Sequence, residues 1–279
     1  MTPQILRQKR LRLVQTIILT VAMVGLAGRA VAVVFGAAAG WVALVAIAAM
    51  ALHAATSQQV ALPAGTRRLD RFSAPELYRV LHGLVQQVGL SRVPPVYVLP
   101  SRGGAAMTTG VGERSMILVS QGVLSELSMR ELTAVLAHEV SHIRNYDLPL
   151  FAVVAGMQRI THAVSGMLMM IVFFAFPLMV ANQTVIAPTV LLYLSVVPLI
   201  SLVAQLALLR TREFQADIGA VELTGDAVAL SSALNRLEEM QRPVFHLRSY
   251  HRDTGLSRLL RTHPTTEERI QRLTEVASG

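Results

Sequence analysis

The chain contains no cysteine, which excludes disulfides and thiolate ligands, so any metal must rest on imidazole and carboxylate groups. Charge is scarce too. Asp, Glu, Lys and Arg make up 15% of the 279 residues, against about 25% in an ordinary soluble domain. Aromatic residues reach only 5%, and no nucleic-acid-binding signature accompanies the net charge of +8, so nucleic acid is not an expected partner. Apolar residues fill the gap, at 53% of the chain with a mean hydropathy of +0.50. Such a composition places part of the chain in a lipid bilayer, and basic residues beside apolar runs then read as topology signals.

Two stretches carry almost no charge. Residues 13–55 hold Arg29 alone, and residues 160–209 hold no Asp, Glu, Lys or Arg. A spanning helix needs about 20 apolar residues, so each stretch accommodates a hairpin of two helices. The turns fall near Arg29 and at Asn182-Gln183-Thr184. A cleaved signal peptide is the alternative for the first stretch, but Ala30–Ala55 is a further uncharged run that could span by itself. The expected organisation is therefore a basic tail over 1–12, a transmembrane hairpin over 13–55, a water-soluble segment over 56–159, a second hairpin over 160–209 and a second soluble segment over 210–279. Four spans put both soluble segments and the tail on one side. Arg7, Lys9, Arg10 and Arg12 in that tail make the side cytoplasmic.

The soluble segments read as mainly helical with a small sheet. Ser73-Ala74-Pro75-Glu76 has the spacing of a capping box opening a helix to about Val88. Pro94–Leu99 and Ser115–Ser120 look like short strands. Between them, Arg102 to Gly110 is a small-residue segment suited to close backbone approach. Ser128-Met129-Arg130-Glu131 is a second capping box.

The helix that this second box opens contains His138-Glu139-Val140-Ser141-His142, a His-Glu-x-x-His motif. Residues four apart share a helix face, so the two imidazoles can reach one ion at about 2.0–2.1 Å each. Glu139 is rotated off both, beside the ion without ligating it, and can take a proton from an attacking water. In a chain with 8 histidines chance yields such a motif about 0.01 times, so two unrelated histidines on a structural helix are a poor account of it. Catalytic zinc keeps three protein ligands and one open position. With cysteine absent, the third is His, Asp or Glu. Glu213 and Asp217 lie four apart in Arg212-Glu213-Phe214-Gln215-Ala216-Asp217. One could ligate while the other holds a ligand imidazole; a solvated helix start is the bland alternative.

The motif continues as Ile143-Arg144-Asn145-Tyr146-Asp147, and His138 to Asp147 resembles the His-Glu-x-x-His-x-x-Asn-x-Asp pattern of HtpX-type membrane metalloproteases, relatives of the CAAX prenyl proteases. Arg212-Glu213-Phe214-x-Ala216-Asp217 is similar to that family's second motif, in which the Glu is the third zinc ligand. Thr262-His263-Pro264 with Arg269-Ile270 is similar to its third. The resemblance implies a gluzincin-type zinc protease with one zinc per chain and Glu213 as third ligand. It also implies that His263 hydrogen-bonds the reaction's oxyanion. It places the enzyme in the bacterial inner membrane facing the cytoplasm, cutting misfolded or damaged membrane proteins. The sequence departs from the family at Ala105, where an Asn is usual.

The other candidates read more simply. Asn145 and Asp147 end the motif's helix ahead of Pro149, and Arg269 is structural. His53 and His162 sit near span ends, and His82, His246 and His251 have no partner at ligand spacing. An intramembrane protease is disfavoured by Arg130, Glu131, Arg144 and Asp147 crowding the motif. A transporter would want polar groups within its spans. A scaffold or chaperone with a structural zinc would not need Glu139.

Overall fold

The computed structural model describes residues 62–110, 112–151, 188–245 and 264–277, with scattered positions between 25 and 49 and between 162 and 181. Contacts divide the chain into two units, Met1–Ser57 with Phe151–Leu209 and Gln58–Leu150 with Arg210–Gly279. The hairpin expected over 13–55 falls largely outside the described residues, and that over 160–209 partly so. Among the described residues no helix is long and apolar enough to cross a membrane.

The second unit holds a four-stranded mixed sheet. Its strands are β1 (Arg67–Arg68), β2 (Val96–Leu99), β3 (Ala106–Thr109) and β4 (Met116–Ser120), in the order β1-β2-β4-β3. β2 and β4 are parallel, with Val96 beside Ile117, while β3 runs antiparallel to β4 with Thr108 beside Ile117. β3 thus forms one edge of the sheet. It occupies the segment expected to be a small-residue loop. Gly110 ends the strand at φ +87, where a Cβ would collide with the Arg114 carbonyl, so the turn into β4 requires glycine.

Helix α1 (Pro75–Val88) buries Leu77, Leu81, Leu84 and Val85, a stripe at helical spacing. The expected capping box at Ser73 does not form. Ala74 is the cap residue and makes no side-chain cap, because Pro75 at the first turn fixes φ and has no N–H to satisfy. Ser73 instead turns its N–H onto the Asp70 carbonyl at 3.1 Å. A short helix, α2 (Gln121–Glu126), leads to α3 (Met129–Arg144). Here the box does form. Ser128 Oγ accepts from the Glu131 N–H, and Glu131 Oε2 accepts from the Ser128 N–H at 2.8 Å.

Helices α4 (Pro188–Thr224), α5 (Ala227–Phe245) and α6 (Thr266–Ala277) follow among the described residues. Val96, Ile117 and Val119 of the sheet share one core with Leu81 of α1, Leu136 and Val140 of α3, Ala220 of α4, Leu230 of α5 and Leu273 of α6. Leu136 and Val140 lie on the turns that carry the His-Glu-x-x-His motif. Burial of that face therefore fixes which way the histidines point.

Candidate metal centre

α3 and α4 approach closely because Gly219 faces Ser141; a Cβ at Gly219 would lie 2.6 Å from Ser141 Oγ. That approach brings Glu213 of α4 to the two histidines of α3. His138, His142 and Glu213 each offer a ligand atom, all within 4.8 Å of one another, and all three side chains are buried. The two Nε2 atoms are 3.2 Å apart. Glu213 Oε2 lies 3.7 Å from His138 Nε2, and its Oε1 lies 3.7 Å from His142 Nε2.

The far nitrogens are already committed. His138 Nδ1 meets Asp217 Oδ1 at 2.9 Å, and His142 Nδ1 meets Asp147 Oδ2 at 2.9 Å. When each Nδ1 donates its hydrogen to the aspartate behind it, each Nε2 is the nitrogen turned toward a shared ion. The 3.2 Å between the two Nε2 atoms suits a cation held by both. Tetrahedral ligands at about 2.0–2.1 Å from zinc are about 3.3 Å apart, close to the spacing found.

Each aspartate is held in turn by an arginine. Arg269 of α6 grips Asp217 with two hydrogen bonds, Nε to Oδ2 at 2.7 Å and a still shorter one to Oδ1. Its guanidinium is positioned by its helix, whose Arg272 stacks over Phe214 of α4, 3.8 Å from the ring centroid. Arg212 NH1 lies 3.2 Å from Asp147 Oδ1. Two parallel relays result, Arg269–Asp217–His138 and Arg212–Asp147–His142, so that each imidazole is aimed from behind. Burial alone would raise Asp217, but the Arg269 charge and hydrogen bonds hold it below the usual carboxylate range.

Charge closes the fit. Glu139, Asp147, Glu213 and Asp217 are buried carboxylates, and Arg212 and Arg269 are the guanidiniums among them. Two negative charges remain, which a divalent cation would balance. Burial opposes a charged imidazole, yet the Asp147 hydrogen bond and the charges of Glu213 and Glu139 push His142 up to about 9. The residues present therefore fit a zinc ion. Glu139 itself is buried beside this cluster, and its Oε2 accepts a hydrogen bond from Thr108 Oγ1 at 2.6 Å.

Sequence reasoning set Asp147 aside as a helix terminator. It does follow the end of α3, but it is wholly buried. Tyr146 takes a left-handed conformation, φ 55, which turns the chain back and returns Asp147 to His142. Arg212 went unassigned, and the contact that Arg269 makes was not foreseen. His263 lies outside the described residues, one position before Pro264.

The chain matches Peptidase family M48 over residues 71–277. It is similar to proteins named Protease HtpX homolog from several organisms. That of Acaryochloris marina is 37% identical over 232 residues, covering 78% of each chain. That of Nostoc punctiforme is 35% identical over 211 residues, covering 72% of this chain and 73% of the other. That of Lactobacillus helveticus is 32% identical over 223 residues, covering 72% and 74%. A crystal structure of Ste24p from S. mikatae aligns with 98% of this chain and 66% of its own, at 18% identity and a TM-score of 0.48. The match runs through both halves of the buried cluster, from the motif of α3 to the guanidinium of α6, and the chain accordingly belongs to peptidase family M48, as a metalloendopeptidase.

Proposed function

We propose that the chain is a zinc endopeptidase whose ion is held by His138, His142 and Glu213, with Glu139 as general base and His263 as the oxyanion's hydrogen-bond donor. Its setting is the bacterial inner membrane and its substrates are unfolded or misfolded membrane proteins. The observation that carries the chemistry is the pair of Nε2 atoms 3.2 Å apart beside Glu213, with both Nδ1 atoms tied to aspartates. A structural scaffold is the weaker reading. Structural zinc sites are closed by four protein ligands, whereas the cluster among the described residues offers three.

Zinc, when bound, supplies a Lewis acid that polarises the scissile carbonyl and makes a water acidic enough to attack at neutral pH. The side chains do the rest. Asp147 and Asp217 hold the imidazoles in register. Glu139 accepts the proton of the attacking water and delivers it to the amine nitrogen as the C–N bond breaks. β3 is an edge strand whose Thr108 touches Glu139, so an extended peptide added to that edge would run beside the base. Such pairing uses backbone groups and favours substrates that are locally unfolded.

The membrane assignment is supported by charge. No Asp, Glu, Lys or Arg occurs from residue 160 to residue 209, and α4 includes the later part of that stretch. The quality-control role rests on the resemblance alone.

Glu139→Gln tests the central claim. It should retain one zinc per chain by metal analysis and lose cleavage of an unfolded substrate in detergent. Cleavage at more than a few per cent of the normal rate in a zinc-loaded Glu139→Gln protein would sink the general-base assignment.

A further inference from the structure

We infer that Thr108, on the edge strand β3, is a positioning residue that fixes the carboxylate of Glu139 for proton transfer; this rests on Glu139 being the general base. Thr108 Oγ1 lies 2.6 Å from Glu139 Oε2 and 3.3 Å from the Glu139 carbonyl oxygen. A hydroxyl has one hydrogen to give. The 2.6 Å contact has the length of a charge-assisted O–H···O⁻ bond, so the hydrogen goes to the carboxylate.

The strand aims this hydroxyl. Side chains alternate along a strand, and Ala106, on the same face as Thr108, packs against the core while Met107 between them is exposed. The register Thr108 to Ile117 pins the strand to β4. Threonine is stiff at χ1, so a fixed backbone gives a fixed hydroxyl. The bond occupies Oε2. Oε1 takes no part in that bond and remains available to accept a proton.

Among the described residues Thr108 is the donor to the Glu139 carboxylate. Without it the group is freer to turn about its terminal torsion, which is broad for a glutamate.

The test compares Thr108→Val, which keeps shape and loses the hydroxyl, with Thr108→Ser, which keeps the hydroxyl, and with Thr108→Ala. Thr108→Val and Thr108→Ala should lower kcat about 10–100-fold, the scale of a small misplacement of a reacting group. KM should stay within about twofold, and zinc content and Tm should be unchanged. Thr108→Ser should recover most of kcat. A crystal structure of the zinc-loaded Thr108→Val protein should show the Glu139 carboxylate turned from the position it holds beside β3. If Thr108→Val keeps full kcat, or Thr108→Ser is as slow as Thr108→Val, the inference is wrong. Should Thr108→Val fail to fold, Thr108→Ala carries the same comparison. Glu139→Gln, measured alongside, separates the two claims. An active Glu139→Gln overturns the base assignment, whereas a dead Glu139→Gln beside a fully active Thr108→Val overturns only the positioning role.

Discussion

At the scale of single residues, the two aspartates behind the histidines are chemically alike but differently held. Asp217 receives two hydrogen bonds from Arg269, whereas Asp147 stands with Arg212 NH1 at 3.2 Å. Asp147→Asn and Asp217→Asn should each weaken zinc binding by about 10–100-fold, measured by competition with a chromogenic chelator. Glu213→Ala should lose more than either, because it removes a ligand rather than its support. Unchanged affinity in Glu213→Ala would place the third ligand elsewhere. The sequence shows a His-Glu-x-x-His motif plainly because ligand and base are neighbours on one helix. Asp147 is harder to read. Its partner His142 is five residues back, a spacing that no helical periodicity serves, and only the left-handed turn at Tyr146 closes it. Arg212 and Arg269 act through aspartates, and no local pattern announces that kind of pairing.

At the scale of elements, the packing of α3 on α4 decides whether the cluster exists. Gly219→Ala places a methyl against Ser141, whose Cβ would be only 2.9 Å away and whose Oγ already donates to Ala137 O. The helices should separate slightly and zinc affinity should fall, with Ser141→Gly in the same chain restoring part of it. Equal affinity in Gly219→Ala and the unmodified protein would show that α4 can absorb the shift. The start of α3 sets an acid limit. Burial tends to raise Glu131, but hydrogen bonds from Ser232 and Ser128 and the Arg236 charge hold it below its ordinary value. A depressed carboxylate stabilises the fold above its unfolded pKa, and that contribution disappears as pH falls through the folded one. Tm should drop as pH is lowered below about 4.5, and Glu131→Gln should be less stable at pH 7 with a shallower acid dependence. Identical acid profiles would remove Glu131 from the account. Elements whose side chains announce them were legible: β2, β4 and the capped α3. β3 was not, because Ala106-Met107-Thr108-Thr109 is bounded by small residues and shows no hydrophobic alternation, and β1 is two arginines paired with Val98 and Tyr97. Ser73 misled because its spacing to Glu76 fits a box that Pro75 makes unnecessary.

At the scale of the whole chain, the ligands constrain topology. His138 and His142 precede the uncharged residues 160–209 and Glu213 follows them, yet the three meet within 4.8 Å. If that stretch crosses about 30 Å of hydrocarbon, it must cross an even number of times. Single cysteines replacing Ser101 and Ser278, in a chain with no native cysteine, should both resist a membrane-impermeant thiol reagent in intact cells and both react after lysis. Labelling of only one before lysis would contradict the hairpin.

The relay from Arg269 also has a consequence in time. Arg269 follows Asp217 by 52 residues and His138 by 131. A ribosome adding about 5–20 residues per second delivers the guanidinium roughly 3–10 s after the carboxylate it grips. During that interval the nascent chain already carries His138, His142 and all four acids, but Asp217 lacks the guanidinium that grips it. The last helix to be made thus supplies the last charge of the site, and the cluster reaches the arrangement described above only when α6 has docked.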